Sequence, residues 1–172
     1  PGDWGIGPAP PTHTAEKQAG FSGGSSSNHY IEARLPHVRH SGRHPRCSAA
    51  HRRRGGHILG ICGGYQMLGN VIDDPEGIEG VFGKTEGLGL LKVNPIMYPK
   101  KQLGQVNAIH PPTQQEFSGY EIHIGETTGP DRARAVFEVD GQGEGASRGD
   151  GRVSGSYLHG LFTQDAFRHA WL

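Results

Sequence analysis

The stretch from Ile58 to Gly69 constrains this chain more than any other. A short β-prone run, Ile58-Leu59-Gly60-Ile61, meets a glycine-flanked cysteine, Cys62-Gly63-Gly64, and continues into Tyr65-Gln66-Met67-Leu68-Gly69, whose apolar residues fall at helical spacing. Strand, sharp turn and helix are therefore expected in immediate succession, which points to an α/β layered sheet with the cysteine at a strand-to-helix turn. Gly60-Ile61-Cys62-Gly63-Gly64 has the form of a nucleophile elbow, in which small neighbours let the central residue occupy a strained turn and project its side chain. A thiol at the first turn of a helix meets the positive end of the dipole and unpaired N–H groups, which favour thiolate. The Gly63 N–H is then placed to stabilise an oxyanion. The competing expectation is a buried structural cysteine between strand and helix.

Where the rest of the core lies follows from the distribution of charge and apolar residues. The chain has 172 residues, room for one ordinary domain, but only 33% are hydrophobic, with 29 glycines and 12 prolines, so long loops or an unpacked segment are expected. Eight of the 17 basic residues but only three of the 17 acidic ones lie in the first 56 positions, so zero net charge sums a basic head and an acidic body. Segments such as Pro8-Ala9-Pro10-Pro11 and Ser22-Gly23-Gly24-Ser25-Ser26-Ser27 carry neither the helix nor the strand period. Residues 1–48 are expected to be an irregular or disordered head, and their mix of Arg, Pro, Ser, His and Gly also fits an out-of-frame reading of GC-rich DNA. The domain proper is expected over residues 49–172. His37, His40, His44, Cys47 and His51 have metal-like spacing, yet no Cys-x2-Cys pair or β-branched framework accompanies them, and no metal site is expected. Cys47 and Cys62 give no disulfide framework. No apolar run of about 18 residues and no secretory leader pattern is present, so a cytoplasmic protein with no membrane and no nucleic-acid partner is expected.

Three ordered segments carry a resemblance. Gly60-Ile61-Cys62-Gly63-Gly64-Tyr65-Gln66-Met67-Leu68-Gly69 is similar to the nucleophile segment of the class I (triad-type) glutamine amidotransferases, and within them to the cobyric acid synthase group. Gly119-Tyr120-Glu121-Ile122-His123-Ile124-Gly125-Glu126-Thr127 and Gly155-Ser156-Tyr157-Leu158-His159-Gly160-Leu161-Phe162 resemble two further stretches of that group, in the same order. Gly77-Ile78-Glu79-Gly80 and Gly87-Leu88-Gly89-Leu90-Leu91 also fit its pattern. The resemblance covers about residues 49–172.

It implies a flavodoxin-like layered sheet in which Cys62 is the nucleophile, His159 its base, and Gly63, Gly64 and Gln66 serve the oxyanion and the substrate. A histidine with pKa near neutrality can take the thiol proton and return it to leaving ammonia. The expected reaction is hydrolysis of glutamine, supplying ammonia for ATP-dependent amidation of corrinoid carboxylates in cobalamin biosynthesis. No cofactor is expected in this domain; ATP and Mg belong to a synthetase domain that these residues do not contain, and the chain reads as a fragment. The superfamily's orienting glutamate stands two residues after the histidine, and here that place is Leu161. This fits the cobyric and cobyrinic branch, which lacks it, and leaves the group that orients His159 unidentified. His123 reads as structural, and His110 as a loop residue. The alternatives are a non-catalytic remnant or docking module on the same fold, and a Cys-His hydrolase of another amide.

Two further motifs call for a bland account. Gly77 to Thr85 nearly spells a phosphate-binding loop, but G-x4-G-K-[ST] requires glycine at position 78, which is Ile78, and Asp73-Asp74-Pro75-Glu76-Gly77 before it reads as a turn rather than a strand. Arg148-Gly149-Asp150 lies in a glycine-rich connection, Asp140 to Gly151, expected to be one hairpin loop between the β-prone runs 135–139 and 153–158.

Overall fold

The computed structural model of the chain describes residues 29–32, 44–80 and 82–172. Its elements are β1 (His29–Glu32), α1 (His44–Arg53), β2 (Ile58–Ile61), α2 (Gly63–Leu68), β3 (Val71–Asp74), β4 (Gly83–Glu86) and β5 (Asn94–His110). They continue with β6 (Gln115–Thr128), a 3-10 turn at Pro130–Ala133, β7 (Phe137–Val139), β8 (Gln142–Glu144), β9 (Ala146–Ser147), β10 (Val153–Ser156), β11 (Leu158–His159) and α3 (Asp165–Trp171).

Two sheets result. The first has the order β1-β2-β10-β9, with β1 and β10 both parallel to β2 and β9 antiparallel to β10. The second runs β11-β6-β5-β3-β4, with β7 and β8 added beside β5, and its spine is the long β5–β6 hairpin. The parallel β2–β10 pair is the α/β signature expected from the elbow, since parallel strands need a crossover rather than a tight turn.

Alternation along β2 sends consecutive side chains to opposite faces of the first sheet. Ile58 joins Tyr65, Leu68, Leu90, Leu91, Val93, Val153 and Tyr157 in one apolar cluster, while Leu59 joins Phe117, Val136, Phe137, Leu158, Leu161 and Phe167 in another. The core thus sits on both sides of this sheet, as the near-continuous apolar run of a buried parallel strand requires. Gly155 on β10 makes the first cluster possible: a β-carbon there would lie 2.1 Å from the Tyr65 ring.

Several expectations change. The expected boundary near residue 49 falls inside α1, and β1 lies before it, pairing through His29↔Ile58 to Glu32↔Ile61. The expectations for Pro8 to Pro11, Ser22 to Ser27, His37 and His40 lie outside the described residues. The segment 140–151 is not one hairpin loop: Asp140 and Gly141 close a tight β7–β8 hairpin, β9 follows, and only 148–152 links β9 to β10. Strands β7 (Phe137–Val139) and β10 (Val153–Ser156) belong to different sheets because glycine at 141 and 145, both with positive φ, turns the chain sharply between them. A strand, β3, does precede Gly77, contrary to expectation, but the segment continues into strand β4 rather than a helix. The Asp74 carboxylate accepts the backbone N–H groups of Ile78 and Glu79 at 2.8 and 3.0 Å, so amides that a phosphate loop would aim at its ligand are already engaged. His110 closes β5 rather than lying in a loop, with its ring among Phe137, Phe167 and Trp171.

Candidate active site

Cys62 stands at the junction between β2 and α2 with φ 54° and ψ −118°. This is close to the first central position of a type II′ turn, a place that favours glycine, and holding a β-carbon there costs on the order of 1–3 kcal/mol. Neighbouring contacts keep it in place: its N–H donates to the Ser156 carbonyl at 2.8 Å and its carbonyl accepts the Gln66 N–H at 3.1 Å. Gly60 permits the approach of strand and helix, since a β-carbon there would come within 2.7 Å of the Gly64 carbonyl oxygen.

The thiol is half-buried, and Sγ donates to the Ile122 carbonyl at 3.4 Å. Burial pushes the Cys62 thiol above its ordinary value; the Gly63 N–H works in the opposite direction, and the Glu79 carboxylate adds to the rise. Desolvation thus outweighs the Gly63 N–H at the start of the six-residue α2.

His159 lies at the end of β11, paired with Tyr120 of β6. Its Nε2 is buried without a hydrogen-bond partner among the described residues. Cys62 and His159 therefore flank one crossing: β10 pairs with β2, the strand that leads into Cys62, in the first sheet, and three residues after Ser156 the chain places His159 in the second. In this resting arrangement the thiol proton points to Ile122 rather than to His159.

Gly63, Gly64 and Gln66 are all buried in α2. Gln66 turns its amide toward the Met97 sulfur at 3.8 Å. His123 is bound on both ring nitrogens, to Glu121 Oε1 at 3.1 Å and to the Gly125 carbonyl at 3.0 Å, and stacks on Tyr157 with centroids 4.1 Å apart. Leu161 is packed into the apolar cluster at 2% exposed, so no carboxylate reaches the imidazole from that position.

Sequence reasoning missed Tyr157 and Glu144. Tyr157 shares a hydrogen bond with Thr127 and edges onto Tyr65. Glu144, 7% exposed, accepts from Ser156 Oγ at 2.7 Å and from the Tyr157 N–H at 2.8 Å. Burial pushes its carboxyl up, against those two donors, with Glu121 adding to the rise and Arg132 opposing it. The only signal in the sequence was a lone acidic residue between glycines, Gly143-Glu144-Gly145. A cavity of about 590 Å³ is lined by Glu121, His123, Thr127, Arg132, Glu144 and Tyr157. Neither Cys62 nor His159 lines it, so the thiol's own contacts define the site. Among the described residues, no three metal-ligating side chains cluster.

Comparison with known proteins gives the decisive observation: residues 16–167 match the family model of the CobB/CobQ-like glutamine amidotransferase domain. The chain belongs to that family. Cobyric acid synthase of Jannaschia sp. (strain CCS1) is 65% identical over 123 residues, covering 72% of this chain and 26% of that protein. Those of Bradyrhizobium diazoefficiens and Rhodobacter capsulatus are 61% and 63% identical, with the same coverage. The chain thus spans about a quarter of the length of the curated relatives it matches. A structure of PurLQS from Thermotoga maritima is 20% identical with a TM-score of 0.49, covering 72% of this chain and 60% of that one. Among the described residues no helix is long and apolar enough to cross a membrane.

Proposed function

We propose that this CobB/CobQ-like domain hydrolyses glutamine through Cys62 and His159, and that the ammonia serves a synthetase of the cobyric acid synthase kind. The carrying observation is Cys62 itself, a reactive residue type held at φ 54° between β2 and α2, beside the strand that leads to His159. His159 takes the thiol proton as sulfur bonds to the carboxamide carbon and the carbonyl electrons move to oxygen, facing the Gly63 N–H. It returns that proton to the nitrogen as the C–N bond breaks, releasing ammonia and leaving a thioester. Water then adds with His159 as base, the C–S bond breaks, and glutamate leaves. Because the resting thiol donates to Ile122, a turn of the Cys62 side chain toward His159 accompanies glutamine binding, and catalytic hydrogen bonds commonly tighten only in such a complex.

On this reading the corrinoid carboxylates, ATP and Mg are the business of that synthetase rather than of this domain. The phosphate-loop-like segment does not fit a nucleotide phosphate, since its Ile78 and Glu79 amides are engaged by Asp74. Cytoplasmic location follows from that biosynthetic role.

The thiol's engagement with Ile122 also favours a second reading, a fold kept for docking without catalysis. Incubation with 6-diazo-5-oxo-norleucine, a glutamine analogue that alkylates amidotransferase cysteines, separates the two by mass spectrometry. An adduct on Cys62, absent from Cys47 and prevented by excess glutamine, is the expected result; an unlabelled Cys62 refutes glutaminase activity in this chain.

A further inference from the structure

With Leu161 enclosed in the apolar cluster, the imidazole of His159 lacks the carboxylate that the superfamily places two residues later. A different buried carboxylate holds the approach to it. Glu144 Oε2 accepts the Ser156 hydroxyl at 2.7 Å, Oε1 accepts the Tyr157 N–H at 2.8 Å, and Ser156 Oγ accepts the Leu158 N–H at 3.0 Å. One side chain therefore ties down the three consecutive residues that carry the chain between sheets and end at His159. Glu144 is itself fixed, pairing with Phe137 in β8 and accepting the Val136 N–H on its carbonyl at 2.9 Å.

We infer that Glu144 is the positioning residue for His159, holding the Ser156-Tyr157-Leu158 crossing so that the buried Nε2 meets the Cys62 thiol. The inference rests on the glutaminase reading above and deepens it. A carboxylate suits the task better than a neutral amide because it offers acceptors to both donors at once. Glutamine in its place can accept from the Tyr157 N–H, but its NH2 then faces Ser156 Oγ, whose own proton is left without an acceptor. Enclosing a carboxylate so fully is unfavourable unless it is hydrogen-bonded, and the two bonds formed are those that set the crossing.

The test measures Cys62 labelling by 6-diazo-5-oxo-norleucine as a function of analogue concentration in the 172-residue chain, in Glu144→Gln, in Ser156→Ala and in the double variant. The expected result for Glu144→Gln is a maximal rate lowered about tenfold to a hundredfold, the effect of a misplacement near 1 Å, with the half-saturating concentration unchanged. Ser156→Ala lowers the rate in the same sense, and the double variant is no slower than Glu144→Gln alone, because residues acting through one chain of bonds are not additive. An unchanged maximal rate in folded Glu144→Gln, a rise in the half-saturating concentration alone, or strictly additive losses overturns the assignment. Should Glu144→Gln fail to fold, the rate of Ser156→Ala decides: slowed supports the assignment and unchanged overturns it. A parent chain that takes no label refutes the glutaminase reading instead. The His159 ring resonances, followed by NMR on the same samples, then decide the positioning alone: they shift in Glu144→Gln if the carboxylate sets the ring and stay if it does not.

Discussion

At most positions replacing alanine by glycine weakens a protein by roughly 0.5–1 kcal/mol, because the unfolded chain gains freedom. At Cys62 the sign should reverse. Its φ of 54° and ψ of −118° place a β-carbon where its contact with the backbone costs on the order of 1–3 kcal/mol, which glycine relieves and alanine keeps. Comparing Cys62→Gly with Cys62→Ala removes the thiol from both, so its lost burial and its bond to Ile122 cancel. Setting the relief of about 2 kcal/mol against the entropic loss leaves Cys62→Gly ahead by about 1 kcal/mol, or about 4 °C in melting temperature for a chain of this size. Circular dichroism melts of the two variants, in one buffer, measure the difference. If Cys62→Ala melts at or above Cys62→Gly, the strain assigned to the elbow is absent.

Gly155→Ala should destabilise by at least about 2 kcal/mol, since its β-carbon would meet the ring of fully buried Tyr65 at 2.1 Å. Denaturant titration measures this, and a loss below about 0.5 kcal/mol would mean that Tyr65 can step aside. At Asp74 burial raises the carboxyl, but the backbone N–H groups of Glu79, Ile78, Gly77 and Gly80 together outweigh it and hold the group below its ordinary 3.8. Its contribution to stability is therefore present above pH 3.8 and lost as pH falls through the lower folded value, so Asp74→Ala should lower stability at pH 7 and lower it less toward pH 3. An equal loss at both, by urea unfolding, would contradict this.

The elbow was legible because its constraints are local: β-prone Ile58 to Ile61, glycines where backbones approach, and helical spacing from Tyr65 to Leu68. His159 at a strand end was legible for the same reason. Strand β5 was not, since its 17 residues include Pro95, Pro99 and Gly104 and are held by pairing with β6, the other arm of the hairpin, rather than marked by their own period. The strands β8 and β9 were hidden in a glycine-rich segment whose pairing is fixed by partners on β7 and β10. Glu144 was illegible because an acidic residue in a glycine-rich stretch looks solvated until long-range folding brings Ser156 and the Tyr157 amide against it.

The strain at Cys62 and the division into two sheets are aspects of one arrangement. A residue keeps an unfavourable φ only when its surroundings leave no other choice. Cys62 is bounded by the β2–β10 pairing on one side, extended by its N–H to Ser156, and by the close Gly60–Gly64 contact on the other. Ser156 is in turn held by Glu144, and immediately after it the chain leaves the first sheet through Tyr157, whose ring stacks on His123 and whose carbonyl accepts the Ile122 N–H. Ile122 is the residue whose own carbonyl receives the thiol. The bonds that oppose relaxation of the elbow are thus the same bonds that locate β11, so relaxing Cys62 and displacing His159 are coupled events, and a substitution that loosens one should be felt at the other.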